Sequence, residues 1–327
     1  MLRVSPGKTL FSAVLMLAIL PGTSAPAAGQ QPPPAGLRED PPKTCPDCAE
    51  WNGPREPFRV FGNTWFVGPA GLSSVLVVSD QGLILLDGGL SQSAAVIERN
   101  IRALGFSPAD IKLITTSHGH FDHVGGIRAL QRLTGATVLA SDATARALAA
   151  GRPVPEDPQF EAASDSQDFP TLDAPIRVVR DGELVRLGNV TLTAHSTPGH
   201  TPGATTWSWR ACEGPRCLNF VYADSLSAIS NATFRFTGDA THPSLVDAFR
   251  RSIEKIAELP CDVLITTHPA AAGLDEKLAR RRDTGIAPGA PGDPFVTPEA
   301  CRAYAENARR NLDARVKKED GSEARPK

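Results

Sequence analysis

The feature that most restricts the fold of this chain is the run TSHGHFDH at residues 116–123, which directly follows a predicted strand. Imidazole nitrogen and carboxylate oxygen are ligand types that Zn²⁺ accepts. In an extended segment, residues two apart project to the same side, so His118 and His120 can hold one ion together. Asp122 and His123, past the bend, can then face a neighbouring ion. The run therefore predicts a metal site at the end of a strand.

Two further histidines follow predicted strands, and the whole chain has seven. His200 lies in the turn-rich segment TPGHTPG at residues 197–203, and His268 follows the strand that ends at Thr266. Loops at strand ends commonly carry the binding and catalytic residues of a protein. We predict that both join the run at one site, whereas His195 and His242 are interpreted as structural.

Strand and helix patterns alternate along the chain, which predicts an α/β fold. Segments Gly151–Asp173 and Thr284–Pro298 have no clear periodicity and are interpreted as long loops. For the first, a substrate-binding role and a plain surface excursion are equally good interpretations. Strands are predicted at 72–78, 83–87, 111–115, 190–194, 205–209, 218–223 and 263–266, and helices at about 94–104, 127–133, 243–259 and 298–316.

The N-terminus has the order of a secretory signal peptide. Basic residues Arg3 and Lys8 precede an apolar stretch at Leu10–Leu20, and small residues follow at 23–28. The stretch falls short of the ~20 residues that cross a bilayer, although an uncleaved anchor is an alternative. We therefore expect a periplasmic or secreted protein that has no membrane segment once the signal is removed.

Composition divides the whole chain into four segments. We expect a signal peptide over 1–27, a flexible leader over 28–42, one catalytic domain over 43–316 and a charged, disordered tail over 317–327. Truncation at about Val316 is then expected to keep activity. The net charge of −2 and pI near 6.4 provide no basic field for nucleic acid. The expected partner is a small molecule, and the expected state is a monomer.

Six cysteines in an exported chain suggest disulfides. Cys212 and Cys217 flank a turn and could close it. A bridge from Cys261 to Cys301 would tie the last helix to the body of the domain. Cys45 and Cys48 are interpreted as a structural pair, because no βαβ unit precedes them to support redox chemistry.

Taken together, His118-x-His120-x-Asp122-His123 with Gly199-His200 and His268 resembles the signature of the metallo-β-lactamase superfamily. That resemblance covers nearly the whole mature chain and implies an αβ/βα four-layer sandwich. It includes Leu86-Asp87-Gly88-Gly89, and we expect Asp87 to support the metal loop from behind. The segments YADSLS, LPCDVL and TPGATTW, at residues 222–227, 259–264 and 201–207, are similar to class B, subclass 3 β-lactamases.

The resemblance implies two zinc ions per chain and a role for each candidate residue. His118, His120 and His200 would hold the first ion, and Asp122, His123 and His268 the second. A metal-bound hydroxide would open the β-lactam ring of penicillins, cephalosporins and carbapenems, giving antibiotic resistance. Asp122 would help to orient that hydroxide as the catalytic residue. Ser225 and Ser227 would bind the substrate carboxylate, because Ser225 lacks the Ser-x-x-Lys context of a nucleophile.

Two other functions remain open at this point. Asp224 stands near the place where related hydrolases have an aspartate that bridges both metals. If it bridges, a secreted thioesterase or lactonase becomes the better interpretation. A zinc-storage protein without turnover is the third hypothesis, and an open pocket at the second metal would count against it.

Overall fold

The computed structural model describes residues 1–3 and 36–323. Almost all of the expected signal peptide and residues 28–35 of the expected leader lie outside these ranges. The described residues 36–323 belong to one compact unit. Among the described residues, no helix combines the length and apolarity needed to cross a membrane.

A seven-stranded sheet forms one half of the compact unit, with its strands in chain order from β1 to β7. The pairs from β1 to β4 are antiparallel, and those from β4 to β7 are parallel. The strands are β1 (Phe58–Phe61), β2 (Thr64–Phe66), β3 (Val75–Ser79), β4 (Gly82–Leu86), β5 (Ile111–Thr115), β6 (Thr137–Ala140) and β7 (Ile176–Val178).

A five-stranded sheet forms the other half, in the order β12-β11-β10-β9-β8. Only β11 and β12 run parallel, and the other neighbours are antiparallel. Its strands are β8 (Leu184–Leu187), β9 (Val190–Ser196), β10 (Thr205–Glu213), β11 (Arg216–Ala223) and β12 (Val263–Thr266).

Helices connect and cover the strands. They are α1 (Cys48–Trp51), α2 (Ser93–Ala103), α3 (Phe121–Val124), α4 (Ile127–Thr134), α5 (Asp142–Ala150), α6 (Val246–Glu258), α7 (Leu274–Thr284) and α8 (Ala300–Glu323), with short 3₁₀ turns at Pro108–Asp110 and Pro269–Ala272.

Alternation along the strands produces the layers. In β3, Val75 and Val77 point into a core shared by both sheets, whereas Leu76 points to a second core under α2, α4 and α5. On the five-stranded sheet, Tyr222 joins the shared core, and Val221 packs under α6 and α8 in a third core. Period-two alternation with both faces covered requires helix, sheet, sheet and helix in that order. The predicted αβ/βα four-layer sandwich is confirmed.

The C-terminal end differs from the expectation. A helix end near Val316 and a disordered tail from Lys317 were predicted from the charged composition. Instead, α8 continues to Glu323, and the Glu319 side chain is buried. Its carboxylate accepts hydrogen bonds from the backbone N–H of Phe236 at 3.1 Å and of Thr237 at 2.9 Å. A tertiary anchor therefore extends the helix beyond the point where its apolar pattern weakens.

The described end of the leader, residues 36–42, also lies on the domain, where we expected flexibility. Asp40 is buried and accepts a hydrogen bond from Arg132 at 3.1 Å. Arg132 also donates to the carbonyl of Arg38 at 2.6 Å. An ion pair with helix α4 thus holds a segment whose composition indicated a free linker.

Three disulfides join the cysteines in the pairs that their spacing suggested. Cys45 is bonded to Cys48, Cys212 to Cys217 and Cys261 to Cys301. Cys212 and Cys217 face each other across the β10–β11 hairpin. The third bond ties the start of α8 to the loop before β12, as expected.

Candidate metal centre and its cavity

The loop that carries most of the candidate ligands begins where β5 ends, and Asp87 fixes its start. The Asp87 carboxylate accepts hydrogen bonds from Ser117 N at 2.7 Å, Ser117 Oγ at 2.6 Å and the Tyr222 hydroxyl at 2.7 Å. Asp87 is fully buried and is the one described non-glycine residue with a positive φ, 58°. Such strain is usually retained at functional sites. The predicted support of the metal loop by Asp87 is present.

The loop of His200 is held from both sides. Ser252 Oγ donates to the Pro198 carbonyl at 2.6 Å, and Ser141 Oγ donates to the Gly203 carbonyl at 2.7 Å. A Cβ at Gly203 would collide with Thr144, so only glycine allows this close approach. The two glycine-containing turns therefore place His200 beside the metal loop.

His118, His120 and His200 form the first group, with ligand atoms that all lie within 4.8 Å of one another. One ring nitrogen of each histidine is held from outside the group. His118 Nδ1 lies 2.6 Å from Asp224 Oδ1, His120 Nε2 lies 3.1 Å from Asp157 Oδ2, and His200 Nδ1 lies 2.9 Å from the Ser227 carbonyl.

This arrangement leaves the opposite ring nitrogen of each histidine for another partner. Nε2 of His118 is buried and has no hydrogen-bond partner within the described part of the chain. A buried nitrogen without a partner is costly unless a ligand occupies it. Outer acceptors that fix the ring and tautomer are the usual companions of metal-binding histidines. The first group therefore fits a metal ion.

A second group contains His118, Asp122 and His123. The sequence placed His268 with Asp122 and His123 instead. The structure brings His268 there too, because Asp122 Oδ2 lies 3.1 Å from both His123 Nε2 and His268 Nε2. Ligands of a tetrahedral ion with bonds of ~2.0–2.1 Å lie roughly 3.3 Å apart, and the distances from Asp122 Oδ2 to the two histidine nitrogens are close to that spacing. His118 thus stands between two neighbouring positions.

Burial sets the charge of the ligands. It lowers the pKa of His118 well below the usual value, and burial with the nearby His120 lowers the pKa of His200 to about 3. Both rings are neutral, which is the form that binds metal.

His123 and Asp122, which lie next to these rings, instead keep their charged forms. Burial would lower the pKa of His123, but the Asp122 carboxylate raises it to about 8. Burial would raise the pKa of Asp122, but His123 and His268 hold it well below its usual value. Asp122 is therefore an anion.

A cavity of about 470 Å³ opens onto this cluster. Asp122, His120 and His200 lie at its buried floor, whereas the His268 side chain is 33% exposed. The second position therefore faces an open pocket. The lining residues are Trp51, His120, Phe121, Asp122, Gln159, Gln167, His200, Ser225, Leu226, Ser227, Ile229, His268, Ala271, Tyr304, Asn307, Ala308 and Asn311.

The predicted substrate residues lie on the wall of this cavity. Ser225 Oγ and Ser227 Oγ are 3.0 Å apart, and Ser227 Oγ is 3.0 Å from His200 Nδ1. Asp224 has no exposed surface, and its Oδ1 contacts the outer nitrogen of His118. It is not one of the cavity-lining residues.

Three contributors were not predicted. Asp157 lies in the Gly151–Asp173 loop, and nothing in its local sequence distinguishes it from the other acids there. Trp51 of α1 packs its ring edge against His268, with ring centroids 5.2 Å apart. The Tyr304–Asn311 face of α8 was expected only as part of a helix. His195 and His242 do lie outside the cluster, bonded to Ser208 and Thr241.

Comparisons with known proteins agree with the family resemblance seen in the sequence. A family model for the metallo-β-lactamase superfamily matches residues 67–212. The solved Rm3 metallo-β-lactamase is 48% identical with a TM-score of 0.79, and the match covers 85% of this chain and 99% of that one. MEM-A1, a subclass B3 metallo-β-lactamase isolated from a soil metagenome library, is 44% identical with a TM-score of 0.77, covering 83% and 99%.

A curated relative has another activity in its name. The hydroxyacylglutathione hydrolase of Cereibacter sphaeroides is 31% identical over 180 residues, which are 53% of this chain and 50% of that protein. The chain thus spans about half the length of that relative.

Proposed function

Because the chain belongs to the metallo-β-lactamase superfamily, and within it to subclass B3, we propose that it hydrolyses the β-lactam amide bond of penicillins, cephalosporins and carbapenems. The observation that carries the proposal is the match to two such enzymes at 48% and 44% identity over 99% of each. The ligand cluster at the floor of an open cavity supports it, because hydrolysis of an amide needs a strong electrophile and an activated water.

The cofactor would be two Zn²⁺ ions. His118, His120 and His200 would hold the first, and Asp122, His123 and His268 the second. When bound, zinc polarises a carbonyl and makes water nucleophilic at neutral pH. The neutral imidazoles of His118 and His200 and the anionic Asp122 are already in the protonation states that such ions require, whereas His123, with its pKa raised to about 8, would release a proton on binding the second ion.

The remaining chemistry belongs to the side chains. Asp122 would accept a hydrogen bond from the attacking water and so orient it towards the substrate. Ser225 and Ser227 would donate hydrogen bonds to the substrate carboxylate. Tyr304 supports these serines, because its hydroxyl accepts from Leu226 N at 3.0 Å and donates to the Asp224 carbonyl at 3.1 Å. The wall that receives the carboxylate is therefore fixed before substrate arrives.

A thioesterase is the second candidate, since a hydroxyacylglutathione hydrolase is among the relatives. That function would be favoured by a bridging Asp224. In the structure Asp224 is directed to the outer nitrogen of His118, which supports an orienting role. Storage without turnover has less support, because an open cavity reaches the candidate second zinc position.

The proposed function includes export of the protein from the cytoplasm. The order of basic, apolar and small residues in the first 28 positions supports a cleaved signal peptide. Three disulfides support an oxidising compartment such as the periplasm. A monomeric enzyme there would give antibiotic resistance.

The test is a comparison of substrate classes on the zinc-loaded mature protein. Imipenem, a cephalosporin, a glutathione thioester and an acyl-homoserine lactone would be assayed side by side. Rapid turnover of the β-lactams with slow or no turnover of the others is expected. Turnover of the thioester or lactone alone would keep the metal site and overturn the substrate assignment.

A further inference from the structure

The cavity has an unusual balance of polar groups. Among its described lining residues none is lysine or arginine, and Asp122 is the one carboxylate. Four carboxamides line it instead: Gln159, Gln167, Asn307 and Asn311. Carboxamides without a neighbouring cation favour a neutral substrate group that both donates and accepts hydrogen bonds.

Two of these amides share one face of α8 with Tyr304. Positions 304, 307 and 311 are separated by three and four residues, which brings side chains to the same side of a helix. Tyr304 is occupied by its hydrogen bonds to the 224–226 backbone. Asn307 Oδ1 accepts only a 3.4 Å contact from Arg310, and the Asn311 amide makes no hydrogen bond among the described residues. Both amides are therefore available to a ligand.

The two asparagines and the candidate metal ligands lie at different depths in the cavity. Asn307 and Asn311 are exposed, whereas His120, His200 and Asp122 are buried. At ~1.5 Å rise per residue, Asn311 lies roughly 10 Å along the helix axis from Tyr304, which bonds next to the serines. The amides thus line the mouth of the cavity, where a substituent would lie while the reacting ring reaches the floor.

Starting from the proposed function, we infer that Asn307 and Asn311 form a subsite for the acylamino side chain of penicillins and cephalosporins. That side chain contains a secondary amide, with one N–H and one carbonyl. Each asparagine offers a matching acceptor and donor. The subsite would increase the efficiency of substrates with this group over substrates that lack it.

The experiment uses the zinc-loaded enzyme and two penicillins with the same ring and carboxylate. Benzylpenicillin has the acylamino group, and 6-aminopenicillanic acid has a free amine in its place. N307A and N311A should each lower kcat/KM for benzylpenicillin by ~3- to 10-fold, the size of one neutral hydrogen bond, mainly through KM. Activity on 6-aminopenicillanic acid should stay within about 2-fold of the wild type by the same reasoning.

Glu306→Ala is the matched control, because Glu306 is exposed on α8 but does not line the cavity. It should leave both substrates unchanged. Equal losses on both penicillins, or no loss on benzylpenicillin, would overturn the subsite. A wild-type enzyme that hydrolyses neither compound would overturn the proposed function with it, and this is seen before any variant is made.

Discussion

Single residues contribute to this site most clearly by orienting the rings of its histidines. Asp224, Asp157 and Ser227 each hold the outer nitrogen of one histidine in the first group. Asp224 and Ser227 belong to the loop after β11, and Asp157 belongs to the loop between α5 and β7, so two loops together fix the ring geometry. Changes at the outer partners should therefore alter metal binding even though none of them is proposed as a ligand.

Asp122 connects His123 and His268, so its loss should empty the second position first. Replacing it with Asn should lower the zinc content from two ions per chain towards one, measured by elemental analysis after dialysis. Turnover should fall by more than the roughly 10- to 100-fold expected from loss of an outer partner. Asp142→Asn, on the exposed face of α5, is the control. Wild-type zinc content and rate in Asp122→Asn would remove it from the site.

Asp157 contacts His120 at 3.1 Å and is buried. Asp157→Ala should weaken zinc binding at the first position by about 10- to 100-fold, since His120 loses the acceptor that fixes its ring. Competition with a coloured chelator measures this affinity directly. An alanine variant with the affinity of the wild type would show that Asp157 has no part in ordering His120.

The cluster of candidate ligands could be predicted from sequence because four of them lie within six residues and the other two follow strands. Asp157 could not be predicted, because it lies 37 residues from His120 in a loop without periodicity. A hydrogen bond between such distant positions depends on how the loop folds back. Tertiary packing decides that, and no local pattern records it.

At the scale of elements, α8 contacts the segment that continues from the Ser225–Ser227 wall of the cavity. Arg315 donates to Ser230 Oγ at 2.7 Å and to the Phe234 carbonyl at 3.1 Å, while Glu319 accepts from Phe236 and Thr237. The segment they hold is continuous with Ser225 and Ser227. The last turns of α8 therefore stabilise one wall of the cavity.

This changes the expected effect of truncation. A chain ending at Val316 lacks Glu319 and leaves the buried Phe236 N–H without that acceptor. Its free energy of unfolding in urea should fall by about 1–3 kcal/mol, and its activity should fall with it. A chain that ends at Glu323 is the control and should match the wild type. Unchanged stability after the Val316 cut would restore the original interpretation of a solvated tail.

The disulfides allow a comparison between a long and a short loop. Cys261 and Cys301 are 40 residues apart, and Cys212 and Cys217 are 5 apart. Chain entropy predicts losses of about 4 and about 2 kcal/mol for the two Cys→Ala pairs. Urea unfolding of both double variants measures the difference. An equal or larger loss for the short loop would contradict the entropic explanation.

Several strongly apolar elements were predicted nearly to the residue, whereas the buried inner strand β6 and the edge strands β1 and β7 were missed. β5 and β12 have the predicted bounds because each is a short buried apolar run. β7 has three half-exposed or exposed residues, and α7 is rich in charge and has few apolar positions. A buried pair, Arg281 with Asp293 at 2.7 Å, helps to hold α7 in place. Such contacts leave no periodic signal in the sequence.

For the whole molecule, the two sheets bring distant loops together. β5 delivers the metal loop from the seven-stranded sheet, while β9, β11 and β12 deliver the loops of His200, Ser225 and His268 from the five-stranded sheet. The site forms only when the sheets pack on their shared core. The αβ/βα order could be predicted only through family resemblance, because periodicity alone indicates α/β without fixing which sheet faces which.

The measurement that tests the central claim most directly is zinc titration of the metal-stripped mature protein during imipenem hydrolysis. We predict that a chelator abolishes turnover and that activity returns as zinc is added, reaching a plateau near two ions per chain. Hydrolysis that survives complete removal of zinc would contradict the account. So would zinc binding at the same stoichiometry without any β-lactam turnover.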